Sequence, residues 1–401
     1  MDAADTTWVL ISTALVFLML PGVAFLEIGF LRSKNAISVM MQVFTILFVT
    51  SIVFLLVGFT LSFGNDIGGI IGDMNFIGLR DIGSQVWEGT TIPAALFFIF
   101  QLMFAAVTIA LVTGSIAERM SYKAFFLFVI GFSFMYAFPA HWVWGGGWLH
   151  DLGKVDFAGS TVVHVTAGAA ALAAALVLGR RQGFGVDALG GHSIPFGVLG
   201  GFLLWLGWFG FNGGSALAAD GVAVNAVLAT NSAAAAGALV ITLLTWFHLG
   251  RPSIVMAVNG SLSGLVAVTA GAGYVSPIGA LATGAIAAVI TFYAIRLIKD
   301  RFQVDDALDV TSIHGLPGVW GSLAVALFAD GRVDGVTGLL HGGGWQQLGV
   351  QALGVIVVCG FIFAGTTIML KWIEGVVGLR VSPRDEISGL DLADHRETAY
   401  I

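Results

Sequence analysis

Apolar positions along this chain do not alternate with polar ones. They run on for about twenty residues at a time, stop at a short polar or glycine-rich stretch, and resume. A run of roughly 20 apolar residues crosses the hydrocarbon layer of a bilayer as a single helix, so each run reads as one crossing. Eleven are predicted, at 7–30, 37–62, 91–113, 122–144, 157–179, 193–213, 222–246, 252–270, 276–297, 307–329 and 346–374. They leave no room for a soluble domain. The expected organisation is therefore an all-α polytopic membrane domain over residues 1–377 and a hydrophilic tail over 378–401.

Composition agrees with the pattern: 57% of residues are hydrophobic and 10% charged, where a soluble chain carries about 25% charged residues. The opening "MDAADTTW" has acids where a cleavable leader has basic residues, so the first run reads as a retained helix. A single cysteine, Cys359, permits neither an internal disulfide framework nor a cysteine metal site. The net charge of −7 supplies no basic footprint for nucleic acid. With the N-terminus outside, fourteen of the Lys and Arg residues fall on the cytosolic side, and Arg80, Lys154 and Arg332 on the other. That bias sets an orientation and requires an odd number of spans.

Two of the apolar runs carry histidine. Asp156 stands eight residues before His164 and Asp306 eight before His314, and a glycine follows each ring four residues on, at Gly168 and Gly318. The match separates the fifth run from the tenth, as a duplication of five helices does. Because five is odd, the second copy is inverted, so helices 1–5 and 6–10 form an inverted repeat and the eleventh stands apart, a common transporter plan with its working site at mid-membrane. Each aspartate suits the free N–H groups at the start of its helix. Eight residues at 1.5 Å rise carry each histidine roughly 12 Å in from its own face, so the rings meet near the middle. Small residues beside them (Ala167, Gly168 and Ala171; Gly315, Gly318 and Ser322) allow close backbone approach. The competing reading is one buried histidine per helix, each satisfied by a carbonyl. Ionisable groups inside a membrane favour function.

Towards the outer side, Phe100 and Phe104 share a helix face, Trp208, Phe211 and Ser215 follow an i, i+3, i+7 stripe, and Trp144 ends the fourth run. Aromatic faces attract small cations, and a serine hydroxyl accepts an N–H bond. Each alone also fits an interfacial or packed aromatic.

The stretches "PGVAFLEIGFLRSKNA" (21–36), "FAAVTIALVTGSIAER" (104–119), "AHWVWGGGWL" (140–149), "DFAGSTVVH" (156–164), "GWFGFNGGSA" (207–216), "DALDVTSIHGLPGVWG" (306–321) and "GLRVSPRDEISGLDLADHRETAY" (378–400) resemble the ammonium transporter (Amt/Mep/Rh) family, in its bacterial and archaeal Amt-type branch. The resemblance implies a homotrimer with one pore per subunit in the cell inner membrane, a transporter and not an enzyme, with no metal or cofactor. It implies an outer ammonium site at Trp144, Ser215 and Phe100, a phenyl gate at Phe104 and Phe211, twin histidines His164 and His314 in an apolar pore, and an essential acid at Asp156. It also implies a PII-type regulatory protein at the cytosolic face. Glu27 stands where many bacterial members have tyrosine and other branches carry glutamate, and beside Arg32 and Lys34 it reads as their snorkelling partner. Three rivals stay open: a bis-histidine haem protein, an ammonium sensor on the same pore fold, and a passive gas channel of the Rhesus type.

Overall fold

In hydrocarbon every backbone N–H and C=O has to be paired within the protein, and the apolar runs fold accordingly as helices. The computed structural model describes residues 1–80, 82–83, 85–187 and 189–400. Its crossings are α1 (Ala3–Phe30), α2 (Ala36–Val53, continued by a π turn at Phe54–Gly58 and a last stretch Phe59–Phe63), α3 (Ala94–Ile116), α4 (Tyr122–Trp144), α5 (a π turn at Ser160–Val165, then Thr166–Leu178), α6 (Ile194–Gly214), α7 (Gly221–Leu249), α8 (Ile254–Val268), α9 (Pro277–Arg296), α10 (a π turn at Thr311–Gly315, then Leu316–Phe328) and α11 (Trp345–Val377). Among the described residues nine of them are long and apolar enough to cross a membrane unaided, whereas α8 has only 15 residues. The eleven expected runs and the eleven helices coincide except at their ends. α5 and α10 start three and four residues late, at Ser160 and Thr311, because the chain ahead of each turns, through Gly159 and Asp309 at positive φ, and lets an aspartate reach forward onto the helix start.

Helices α1 and α6, the first of each predicted half, cross with their backbones in contact. A Cβ on Gly29 would stand 2.1 Å from the Gly197 nitrogen, so no larger residue fits at that crossing. Outward faces carry apolar side chains such as Phe44, Phe202, Phe247 and Ile356, all exposed, as lipid-facing surfaces require. The two chain ends lie on opposite faces, called here the N-terminal face and the tail face.

The tail is packed. Leu390 N–H donates to Asn35 Oδ1 at 3.0 Å, Asp391 Oδ1 accepts from Ser38 N–H at 2.8 Å, and Asp394 Oδ2 accepts from Tyr122 N–H at 3.1 Å. Buried Glu386 joins Arg380 at 2.7 Å and accepts from Gln182 N–H at 2.6 Å. Under this layer Glu118 accepts from Arg32 at 2.9 Å and from Arg181 at 2.7 Å, and Arg181 reaches Asp305 at 2.8 Å. Burial pushes the Glu118 carboxyl up, but the two guanidinium groups outweigh it and hold it below the ordinary range. Glu118→Ala leaves both arginines short of a partner and is expected to cost about 3–5 kcal/mol, read as a lower unfolding temperature in detergent. A depressed carboxyl contributes fully above its unfolded value of about 4.3 and loses that contribution as pH falls from there through its lower folded value, so the gap between wild type and variant should narrow over that interval.

Candidate functional site

The site is assembled by two matching helix starts. Asp156 Oδ2 accepts from the N–H groups of Thr161 and Val162 at 2.9 and 3.0 Å, and its Oδ1 from Gly159 N–H at 3.2 Å. Asp306 Oδ2 accepts from Thr311 N–H at 2.7 Å. Both carboxylates thus reach five residues ahead, onto helices that each open with a π turn. A histidine follows the capped N–H by the same interval in both copies, and π turns of this kind recur at functional sites. Burial raises the Asp156 carboxyl above its ordinary value despite Lys154 and three N–H donors. Lys154 itself is buried, donates to Ser322 Oγ at 2.7 Å, and is brought down to about 8 by burial.

Helix α5 enters from the N-terminal face and α10 from the tail face, and their histidines meet inside the protein. His164 Nδ1 and His314 Nδ1 are 3.3 Å apart, and both rings are buried. Gly168 and Gly315 make the meeting possible, because a Cβ on Gly168 would stand 2.2 Å from the Gly315 Cα. This contact also removes the haem reading. Two axial nitrogens bracket a metal at about 4 Å, twice a metal–nitrogen bond of ~2.0 Å, and touching backbones leave no slot for a macrocycle.

A file of aromatic rings leads from the N-terminal face to this pair. Trp144 and Phe104 have centroids 5.8 Å apart, Phe104 and Phe211 4.3 Å, Phe211 and His164 5.9 Å, and His164 and His314 5.3 Å. Phe100, Phe104, Trp144 and Ser215 all line one cavity of about 520 Å³ at the start of the file. Trp144 is fixed by donating from its indole to the Asp156 carbonyl at 2.7 Å. Ser215 donates its hydroxyl to the Phe211 carbonyl at 2.8 Å, which leaves its oxygen lone pairs free to accept. His314 lines a second cavity of about 480 Å³ that opens at the other end. Phe104 and Phe211 close the path between the two, each with at most 1% of its surface exposed.

Two sequence expectations are corrected. Trp208 does not belong to the mouth: it stacks on His164 at 5.2 Å, with its indole held by Thr269 Oγ1 at 2.9 Å. Glu27 is not the partner of Arg32 and Lys34. Arg32 pairs with Glu118, and Lys34 Nζ donates to the carbonyls of Glu386 and Ile387, while Glu27 turns inward, takes the Thr113 hydroxyl at 2.8 Å and lines the second cavity with His314. Sequence reading passed over Thr269, and one more step along the Trp208 register would not have found it, since it lies 61 residues away.

Comparison with known proteins places this geometry in context. The Ammonium Transporter Family matches residues 7–400. The chain is 43% identical over 401 residues to the ammonium transporter Amt1 of Archaeoglobus fulgidus, covering 100% of both chains. It is 41% identical over 409 residues to an ammonium transporter of Bacillus subtilis, covering 100% of this chain and 99% of the other. Among solved structures it resembles a sensor Amt protein (TM-score 0.91, 34% identity, 98% of each chain) and Mep2 of Candida albicans (TM-score 0.90, 35% identity, 96% of this chain and 87% of the other).

Proposed function

The chain belongs to the ammonium transporter family, and from that premise we propose how its residues move ammonium across the membrane. Ammonium is recruited among Trp144, Phe100 and Ser215, gives up a proton to water in the mouth cavity, passes Phe104 and Phe211 as ammonia, and is handed along by His164 and His314. The observation that carries this reading is the unbroken file of rings joining two cavities, with a hydrogen-bonded imidazole pair at its end. A bare cation in so apolar a passage faces an idealised desolvation cost on the order of 20 kcal/mol. Ammonia escapes most of that cost, and potassium has no neutral form to adopt. Selectivity therefore rests on deprotonation as well as on the aromatic mouth, and the imidazoles can both donate and accept on the way.

The excess of Lys and Arg in the loops of the tail face supports a cytosolic tail and an N-terminus outside the cell inner membrane. Family resemblance supports a homotrimer and a PII-type regulatory protein at the tail face, where residues 378–400 lie across the loops after α1, α3 and α5.

Flux of ammonium against potassium in vesicles carrying the purified protein tests the reading. Trp144→Leu, which removes the largest aromatic face at the mouth, should lower uptake from micromolar ammonium about 2- to 30-fold, matching a cation–π contribution of ~0.5–2 kcal/mol. Uptake should recover at saturating ammonium. Unchanged uptake at micromolar concentration would remove the mouth from the mechanism.

A further inference from the structure

Glu27 has no part in the path described so far, yet it is 2% exposed and carries an acid into the cavity that His314 lines. Its Oε1 takes the Thr113 hydroxyl, while its Oε2 has no hydrogen-bond partner among the described residues. Neighbouring cations are committed elsewhere: Arg32 to Glu118, Lys34 to two tail carbonyls, and Lys299, which lines the same cavity, to Asp309 at 2.9 Å. Room for the carboxyl comes from α3. A Cβ on Gly114 would stand 3.1 Å from Glu27 Oε1 and 2.9 Å from the Val310 side chain.

A buried acid with half its accepting capacity unused is costly until a donor or a cation completes it. Here the open oxygen belongs to a group lining the cavity at the end of the pore, and Asn259 adds an amide to the same lining. A small cation whose N–H groups can point at separate acceptors suits this set, and a bare spherical ion that needs a cage of oxygens does not. We propose that Glu27, backed by Thr113, is the anchor of a second ammonium-binding site, on the tail side of the histidine pair. The inference rests on the ammonium reading given above, and it gives the pore a binding site at each end.

The test separates the two faces. Right-side-out and inside-out membrane vesicles containing the full chain are supplied with isotopically labelled ammonium, so that flux begins at the N-terminal face in one and at the tail face in the other. Glu27→Gln keeps the size of the side chain and the bond from Thr113 but removes the charge. It should raise the half-saturating ammonium concentration about tenfold for flux that begins at the tail face, as expected for loss of one charge-assisted hydrogen bond, and change it less than twofold from the other face. Thr113→Val, which removes the orienting hydroxyl and leaves the acid, should shift the same value in the same direction by less. If Glu27→Gln fails to assemble, the Thr113→Val result decides. No shift, or an equal shift from both faces, overturns the site. If wild-type vesicles of neither orientation carry labelled ammonium, the transport reading itself fails; if they do and the variants match them, only the Glu27 site is lost.

Discussion

Alanine at both His164 and His314 is expected to abolish ammonium-selective flux, lowering the ammonium-to-potassium ratio at least a hundredfold while the protein still assembles. The two imidazoles are the polar groups at the end of a path otherwise walled by phenyl rings. A proton shared between their Nδ1 atoms, 3.3 Å apart, leaves one Nε2 as a donor and the other as an acceptor, so the pair can offer ammonia either partner. Removing both rings takes away this donor–acceptor pair, and proton transfer by a positioned side chain contributes about 10²–10⁴-fold. His164→Asp should lower selectivity as well, but by admitting potassium and not by removing ammonium flux. A fixed negative charge attracts any small cation, so potassium flux should rise. Recording ammonium and potassium fluxes for both variants decides the matter: a ratio equal to wild type in each would reduce the histidines to packing.

Asp156→Ala should produce the second-largest loss, and of a different kind from the one at Trp144. The substitution strips three buried N–H groups, those of Gly159, Thr161 and Val162, of their acceptor. Each unsatisfied donor costs about 1–3 kcal/mol, which the chain escapes only by unwinding the π turn that presents His164. The Asp156 carbonyl also holds the Trp144 indole, so a shift at this loop disturbs mouth and histidine together. Transport should fall more than tenfold even at saturating ammonium, with a lower unfolding temperature in detergent. Asp156→Glu, which keeps an acceptor on a longer stem, should recover part of both. A variant that regained full uptake at high ammonium would show the aspartate to act only in recruitment.

Much of this arrangement was legible from spacing. Asp156 and His164, repeated as Asp306 and His314, carry one offset into two helices of opposite direction, and that offset puts the two rings at one depth. The eleven runs were legible because hydrocarbon tolerates few alternatives to a helix. The π turns were not, since the extra residue in each turn is set by how Asp156 and Asp306 grip the helix start and has no local composition of its own. Trp208 departs from its expected place because a stripe of i, i+3 and i+7 spans more than one level. Seven residues rise roughly 10 Å, enough to lower Trp208 from the mouth to the depth of His164. Glu27 departs from its expected place for the opposite reason. Proximity in sequence to Arg32 and Lys34 counted for less than Glu118, 86 residues from Arg32, which draws that arginine away once α1 has ended.

The contact between Gly168 and Gly315 bears on how such a chain can change over generations. Each half of the repeat contributes one member of a single contact, and each member is already the smallest residue available. A bulkier replacement in one half therefore has no compensating replacement in the other. Elsewhere the duplicated halves are free to diverge, as Trp144 and Ser215 at one end and Glu27 at the other already attest. At this crossing both partners stay glycine, and the differences that give the pore an entrance and an exit have to accumulate around a contact that cannot grow.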